Sequence, residues 1–186
     1  MYTKKLYFSG GSFYELQEVF DHIPGVQETR AGCINAEEKP GGLRTGETEK
    51  REVMGIEIIY NPKKMDISQL IDILFAVVDP ALPQGQGEAV GPLYRSGVYY
   101  TDREDEPQIE YHMNFIRNRG RQAAVTAAGL TLNDTNSRPQ RRCYAKAMRL
   151  KDFQPVEPEH QHYLQKHPHK ETYIDFVYLK ELGILS

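Results

Sequence analysis

The sequence predicts an α+β sandwich, with helices packed on a sheet, rather than a doubly wound α/β fold. Stretches of alternating polarity, typical of strands, are interspersed with stretches whose apolar residues repeat every three or four positions, typical of helices. These elements follow one another unevenly, without the regular alternation that a parallel sheet requires. A chain of 186 residues with 39% hydrophobic content suits a single domain, residues 1–186, with a substantial core.

The first strand and the first helix are predicted on either side of a glycine pair. Residues 4–8 alternate in polarity and then become apolar, as in a half-buried strand, and Gly10 and Gly11 permit a tight turn. A helix with one apolar face follows and ends at a Pro-Gly pair. Ser12 and Glu15 have the spacing of a capping box, in which the serine accepts a backbone N–H and the glutamate reaches back. We therefore expect Ser12 to cap this helix.

A second strand and a second helix are predicted over residues 53–60 and 68–78. The first of these stretches alternates in polarity, and the second has an apolar stripe at helical spacing. A loop rich in glycine and proline, residues 80–92, follows, and loops of this length inside a compact domain are often binding segments. Residues 93–101 have the aromatic and valine content of a strand.

The second half of the chain is predicted to contain one long helix, one strand and a helical end. The helix begins with Thr101 or Asp102 as its cap and ends at about residue 119. A small and polar stretch without a predicted element comes next. Residues 143–150 alternate as a strand does, and residues 173–185 are apolar with the pattern of a helix.

The charge and the composition argue against several classes of function. With 23 basic and 26 acidic residues the net charge is −3, so we expect no nucleic-acid partner and no attraction to an anionic membrane. The sequence has neither an apolar run of membrane-spanning length nor a signal-peptide pattern, and we expect a cytoplasmic protein. Cys33 and Cys143 form no metal or disulfide motif, and the H-x-H pairs within residues 160–169 lack a defined ligand geometry, so we expect no metal.

Four blocks of the sequence resemble peptide methionine sulfoxide reductase A. Residues 8–26, FSGGSFYELQEVFDHIPGV, stand where the family reads G-G-C-F-W and later I-P-G-V, and residues 58–80 form the second block. Residues 84–105 contain QGQGEAVGPLYRS, where the family reads Q-G-N-D-x-G-x-Q-Y-R-S. Residues 150–168 end in EHQHYLQKHP, where it reads A-E-x-Y-H-Q-x-Y-L. The order and separation of the blocks identify the chain as similar to this family, which implies a two-layer α/β sandwich with a ferredoxin-like core and a mixed sheet.

The resemblance implies a specific chemistry at position 12. In the family a cysteine there attacks the sulfur of methionine sulfoxide, methionine leaves, and the resulting sulfenic acid is reduced by a second cysteine, thioredoxin or another thiol. The N-terminus of the helix stabilises the reactive thiolate. This chain has Ser12 instead, and a serine oxygen cannot pass through a sulfenic acid. The resemblance therefore implies methionine sulfoxide, free or in proteins, as the ligand, no bound cofactor, and no turnover by the chain as written.

The resemblance also places a substrate pocket around Ser12. Tyr14 replaces the family tryptophan, and Met54 occupies the position of a glutamate that supplies a proton to the sulfoxide oxygen. Glu52 lies two residues from Met54 on the same strand face and is the expected replacement acid. The family aspartate of the Q-G-N-D block becomes Ala89. The expected substrate-binding residues are Phe13, Tyr14, Met54, Tyr94 and His160.

Three functions stay open at this point. The first is a catalytically silent member that binds the sulfoxide in a modified pocket. The second is an active reductase whose cysteine is replaced by serine in this sequence, or one that uses Cys33, which follows Gly32 where the family commonly reads G-Y. The third is an interaction protein that contacts a partner through residues 119–142, a predicted insertion, and residues 173–185, which lie in a predicted C-terminal extension over residues 169–186.

Overall fold

The computed structural model describes residues 2–37, 52–82, 85–87, 89–126 and 143–185. Among these residues, no helix combines the length and the apolar character needed to cross a membrane. The strands are β1 (Lys4–Ser9), β2 (Val26–Ala36), β3 (Glu52–Tyr60), β4 (Gly85–Gln86), β5 (Ala89–Val90), β6 (Gly97–Tyr100) and β7 (Lys146–Pro155). The helices are α1 (Phe13–Asp21), α2 (Ile67–Val77), α3 (Glu106–Thr126), α4 (Tyr163–Lys166) and α5 (Phe176–Glu181).

Five strands form one mixed sheet in the order β1-β3-β2-β7-β6, and β1 also pairs with β6, so the sheet closes on itself. The β6–β7 pair is parallel and the other four pairs are antiparallel. α3 lies in the connection between the two parallel strands, which need a long crossover. The predicted α+β class and mixed sheet are confirmed. The two-layer sandwich with a ferredoxin-like core stays a prediction. It did not include the pairing of β1 with β6, which closes the sheet.

The main hydrophobic core lies between the sheet and the helices. It includes the inward residues of β1 and β3 and the apolar stripes of α1, α2 and α3. Phe8 of β1 is fully buried and packs against Phe20 of α1, with ring centroids 5.3 Å apart. Tyr7 and Tyr99, which point to the other side of the sheet, belong to a second and smaller cluster. The buried face of α1 thereby fixes the position of its first turn relative to the sheet.

The two helices after β1 and β3 begin with different caps. At α2, Asp66 accepts from the Ser68 N–H at 3.2 Å, and the Gln69 side chain accepts from the Asp66 N–H at 3.0 Å, which completes a capping box. At α1, Ser12 caps the helix, as predicted, but Glu15 does not complete the box. The prediction of a Ser12–Glu15 capping box was therefore half wrong, and the Glu15 carboxylate is left for another role.

Several element boundaries differ from the sequence-based expectations. The long strand β2 was not predicted as an element, because its N-terminal half carries charged and polar residues. The strand expected over residues 93–101 is limited to β6, since Pro92–Tyr94 forms a 3-10 turn. α3 continues to Thr126, so no helix end marks the start of the predicted insertion, and residues 127–142 lie outside the described residues.

The C-terminal segment packs on the domain that precedes it. Ile174, Leu179 and Leu185 are 8%, 5% and 5% exposed and belong to the main core cluster. Only Phe176–Glu181 of the predicted helical end is helical. Burial of these three side chains holds the segment against the body of the protein, and it brings the residues just before α5 close to the first turn of α1.

Candidate active site at the start of the first helix

Ser12 stands at the N-terminus of α1, immediately after β1 and the glycine turn. Its backbone is extended, with φ −74° and ψ 132°, and its hydroxyl oxygen accepts from the Tyr14 N–H at 3.3 Å. The side chain is half-buried. The helix offers the partial positive charge of its unpaired N–H groups at this point. The position suits a group that must stabilise negative charge, and a serine hydroxyl there acts as a cap.

The glycine turn before Ser12 is held by two neighbouring segments. Gly11 adopts φ +66°, which favours glycine, and its N–H donates to the Tyr94 carbonyl oxygen at 3.1 Å. Gln86 is 5% exposed, and its side-chain amide bonds both the N–H and the carbonyl oxygen of Asp79, each at 2.9 Å. A Cβ atom at Gly11 would lie 2.7 Å from the Gln86 Cβ. The Gly/Pro-rich loop is therefore anchored against the turn that carries Ser12.

Tyr14 forms the centre of an aromatic cluster beside Ser12. Its ring stacks on Tyr163 with centroids 4.2 Å apart and an 18° interplanar angle, and its hydroxyl lies 2.9 Å from His160 Nδ1. The Lys170 ammonium lies over both rings, 5.2 Å from the Tyr14 centroid and 4.6 Å from that of Tyr163. Burial and the neighbouring tyrosines 163 and 94 raise the pKa of Tyr14. Tyr14 therefore stays neutral near pH 7, as does a phenol of ordinary pKa.

The side chains of two glutamines, Gln17 and Gln161, hold the histidine-rich segment, residues 160–169, against α1 and β2. The Gln161 side chain accepts from the Ala31 N–H and donates to the Ala31 carbonyl oxygen, each at 2.8 Å. The His162 N–H donates to the Gln17 Oε1 at 2.8 Å, although His162 has the unfavourable φ of +50°. Since a non-glycine residue adopts this conformation only when its surroundings hold it there, the segment that carries His160 has a defined position.

Two residues that the sequence analysis did not place in the site lie at the same turn. The Tyr173 ring packs against Gly87, and its hydroxyl oxygen would lie 2.7 Å from a Cβ atom at Gly11. Burial, followed by the Glu15 carboxylate, raises the pKa of the Tyr173 hydroxyl. Glu15 is 7% exposed, and its Oε2 has no hydrogen-bond partner among the described residues. No local pattern connects position 173 with position 11, so only the fold could bring them together.

The predicted acid and the predicted pocket residue of β3 lie in different surroundings. Met54 is half-buried, packs against the main core and pairs directly with Cys33 of β2. Glu52 is exposed and lies close enough to the Cys33 thiol to raise its pKa. Phe13 is 4% exposed and belongs to the core. Its ring packs against the Tyr14 ring on the core side, with centroids 4.9 Å apart. Ser12, Tyr14, Tyr94 and His160 converge at the start of α1, whereas Glu52 lies beside Cys33.

The Cys33 thiol should react slowly with alkylating reagents. Burial, followed by the hydrogen bond with Glu52, raises the pKa of Cys33 from 9.0 to about 11. Two pKa units reduce the thiolate fraction near pH 8 about 100-fold relative to an unperturbed thiol. We expect iodoacetamide labelling of Cys33, followed by mass spectrometry in a Cys143→Ser background, to be slower by a comparable factor and to rise as the pH approaches 11. Labelling as fast as that of a small-molecule thiol would contradict the assigned environment.

The described residues contain no group of three or more His, Cys, Asp or Glu side chains placed to hold a metal ion. Two histidines of the segment 160–169 instead bond to other groups of the domain. His162 Nδ1 lies 2.7 Å from the Asp21 carboxylate, and His167 Nδ1 lies 2.9 Å from the Tyr163 carbonyl oxygen. The His162–Asp21 contact holds the start of α4 against α1, and the His167–Tyr163 contact closes the end of α4.

Comparison with known proteins decides the family. The sequence model described as "Peptide methionine sulfoxide reductase" matches residues 4–182. The chain belongs to the peptide methionine sulfoxide reductase family. It is 32% identical over 170 residues to peptide methionine sulfoxide reductase MsrA 2 of Rhodopirellula baltica, with 91% of this chain and 89% of that protein covered. It is 31% identical over 176 residues to MsrA of Mycoplasma pneumoniae, with 93% and 99% covered.

Solved structures of methionine sulfoxide reductases share the fold. Methionine sulfoxide reductase A of Corynebacterium diphtheriae superposes with a TM-score of 0.65 at 21% identity, covering 94% of this chain and 82% of that one. Mxr1 of Saccharomyces cerevisiae in reduced form gives 0.66 at 20% identity, covering 91% and 88%. Mxr1 in complex with Trx2 gives 0.55 at 15% identity, covering 87% and 84%. The family model and the sequence relatives confirm the resemblance inferred from the four sequence blocks, and the solved structures share its fold.

Proposed function

We propose that this member of the methionine sulfoxide reductase family binds methionine sulfoxide, free or in proteins, and does not reduce it as written. The observation that carries the proposal is Ser12 at the N-terminus of α1, where its hydroxyl serves as the helix cap. The family chemistry requires an atom that attacks the sulfoxide sulfur and then carries its oxygen. A serine hydroxyl is far less acidic than a thiol and has no oxidised state equivalent to a sulfenic acid.

The surroundings of Ser12 support binding of a small and partly apolar ligand. The Tyr14 ring and the buried Phe13 beneath it offer an apolar wall for the methyl group. Tyr94 holds the glycine turn through its carbonyl oxygen, and His160 orients the Tyr14 hydroxyl. Met54 of β3 joins this pocket on the strength of the family resemblance. We assign Phe13, Tyr14, Met54, Tyr94 and His160 to this pocket and retain Glu52 as the candidate acid on its margin.

Cys33 is a poor substitute for the missing nucleophile. Its raised pKa keeps it protonated near neutral pH, where an attacking cysteine needs to be a thiolate. The interaction-protein alternative is weakened in one respect, because the C-terminal segment packs on its own core through Ile174, Leu179 and Leu185. Neither alternative has an observation in its favour as specific as the position of Ser12.

We also propose thioredoxin as the reductant of any active form of this protein, and the cytoplasm as its location. The structure of Mxr1 in complex with Trx2 supports thioredoxin as the partner for any member that completes the cycle. For this chain a thioredoxin-type dithiol would be needed only if a thiol stood at position 12. A cytoplasmic location would supply both the reductant and the oxidised substrates.

The proposal predicts binding without turnover. In calorimetry at millimolar concentration, L-methionine (S)-sulfoxide should give saturable heat with the parent chain, and the (R) epimer should bind more weakly. In a parallel assay with dithiothreitol, the parent should release no methionine from a methionine sulfoxide peptide. A Tyr14→Ala variant should lose the binding heat, whereas Tyr111→Ala, which removes a tyrosine that is 77% exposed, should keep it. Absence of binding by the parent, or thiol-dependent turnover by the parent, would contradict the proposal.

A further inference from the structure

Glu15 is a buried residue of α1, and one of its carboxylate oxygens has no hydrogen-bond partner among the described residues. It is 7% exposed, and its Oε2 makes no hydrogen bond within the described part of the chain. Folded proteins satisfy most buried polar groups, and an exception often marks a site completed by a water molecule or a ligand. Burial of an unpaired carboxylate is costly, and the capping box that would have satisfied Glu15 does not form.

Tyr173 brings a second polar group to the same place from the opposite end of the chain. Its ring contacts Gly87, and its hydroxyl oxygen lies 2.7 Å from the position that a Cβ atom of Gly11 would occupy. The Glu15 carboxylate is near enough to affect the titration of this hydroxyl, yet no hydrogen bond joins the two groups in the described structure. A carboxylate oxygen without a hydrogen-bond partner and a phenol hydroxyl therefore lie beside the turn that carries Ser12.

We infer that Glu15 and Tyr173 recognise the polar end of the ligand, with Glu15 accepting from the α-ammonium group of a free amino acid and Tyr173 donating to a ligand oxygen. This inference rests on the proposed function and specifies the substrate class: free methionine sulfoxide over peptide-bound sulfoxide. The α-ammonium group neutralises the buried carboxylate and donates a charge-assisted hydrogen bond. A backbone amide in a peptide offers one neutral N–H and leaves the charge uncompensated.

The two residues come from elements whose positions are fixed independently. Glu15 lies in the first turn of α1, whose buried face packs on β1. Tyr173 precedes Ile174, which is 8% exposed within the main core. Glycine at positions 11 and 87 leaves the space that the Tyr173 side chain fills. The C-terminal segment thereby completes the site.

The test compares two ligands that differ only at the α-amino group. Calorimetry should show that the parent binds L-methionine (S)-sulfoxide at least about tenfold more tightly than N-acetyl-L-methionine (S)-sulfoxide, as expected for loss of a charge-assisted bond. Glu15→Gln should abolish this preference, and Tyr173→Phe should lower the affinity for both ligands. Glu28→Gln and Tyr178→Phe, the same changes at exposed positions, should leave both affinities unchanged.

Each other outcome has a separate meaning. Equal affinity of the parent for both ligands would overturn the inference and leave the proposed function intact, whereas binding of neither would overturn both. Tighter binding by Tyr173→Ala would also overturn the inference, because Tyr173 would then occlude the site.

A stability measurement supplies a test without any ligand. Glu15→Gln should raise the thermal midpoint of the ligand-free protein, because a neutral amide is easier to bury than an unpaired carboxylate. Glu28→Gln should not change the midpoint. A lower midpoint for Glu15→Gln would show that the fold itself satisfies Glu15, and the inference would fail.

Discussion

The Ser12→Cys variant is expected to reduce methionine sulfoxide, whereas the parent chain does not. The new thiol would stand at the N-terminus of α1, where the unpaired N–H groups lower the pKa of a cysteine below its free value of about 8.5. Without a reductant, each chain should release one equivalent of methionine and acquire one sulfenic acid, detected by dimedone labelling. With dithiothreitol, the release should continue beyond one equivalent. With dithiothreitol, we therefore expect no methionine release by the parent chain and repeated turnover by the Ser12→Cys variant.

The controls for this experiment either remove one of the two native thiols or place a new thiol at the start of another helix. Cys33→Ala and Cys143→Ala in the Ser12→Cys background should keep the single equivalent, which assigns the reaction to position 12. Asp66→Cys puts a thiol at the N-cap of α2, outside the aromatic cluster, and should release no methionine. If Ser12→Cys is silent, the replacements at Tyr14, Met54 and Ala89 have removed more than the nucleophile, and the ligand must be sought in another class.

The Phe8→Ala variant is expected to lose much of the stability of the domain. Phe8 is fully buried in the core and packs on Phe20, and truncating a buried phenylalanine costs about 3–5 kcal/mol through lost burial and the cavity that remains. Domains of this kind are stable by only about 5–15 kcal/mol. Guanidinium denaturation should therefore show a large fall in the midpoint with the slope preserved.

Phe115→Ala is the matched control for this change. Phe115 is 39% exposed on α3 and stacks only on His112, with centroids 5.8 Å apart. Its truncation should change the free energy of unfolding by no more than about 0.5 kcal/mol. Equal losses for the two variants would mean that the contact between β1 and α1 does not anchor the core, and the fixed position assigned to Ser12 would lose its support.

Much of the fold follows from local patterns in the sequence. The alternation of residues 4–8 and the apolar stripes of α1 and α2 predict elements that the structure contains. β2 was missed because its first residues are polar, and its pairing with β3 and β7 decides its conformation. The closing pair between β1 and β6 joins distant parts of the chain and leaves no local signal.

The candidate site could be predicted only in part, for a similar reason. The glycine turn and the cap at Ser12 follow from neighbouring residues, and the convergence of Tyr14 and His160 follows from the family resemblance. Glu15 was interpreted as a capping residue because its spacing allows that role, although burial without a partner is visible only in three dimensions. Tyr173 lies more than 150 residues from the glycine turn that it contacts.

The closed sheet has a consequence for how this protein can meet another one. Each of its five strands has a partner on both sides: β1 pairs with β3 and β6, β2 with β3 and β7, and β6 with β7. A closed sheet offers fewer free strand edges than an open one and therefore limits end-on growth by foreign strands, a common route to aggregation. It also gives an extended peptide little opportunity to bind by strand addition. A sulfoxide within a protein, which we expect to bind more weakly than the free amino acid, should therefore be presented from a flexible loop or terminus, with its side chain inserted towards α1.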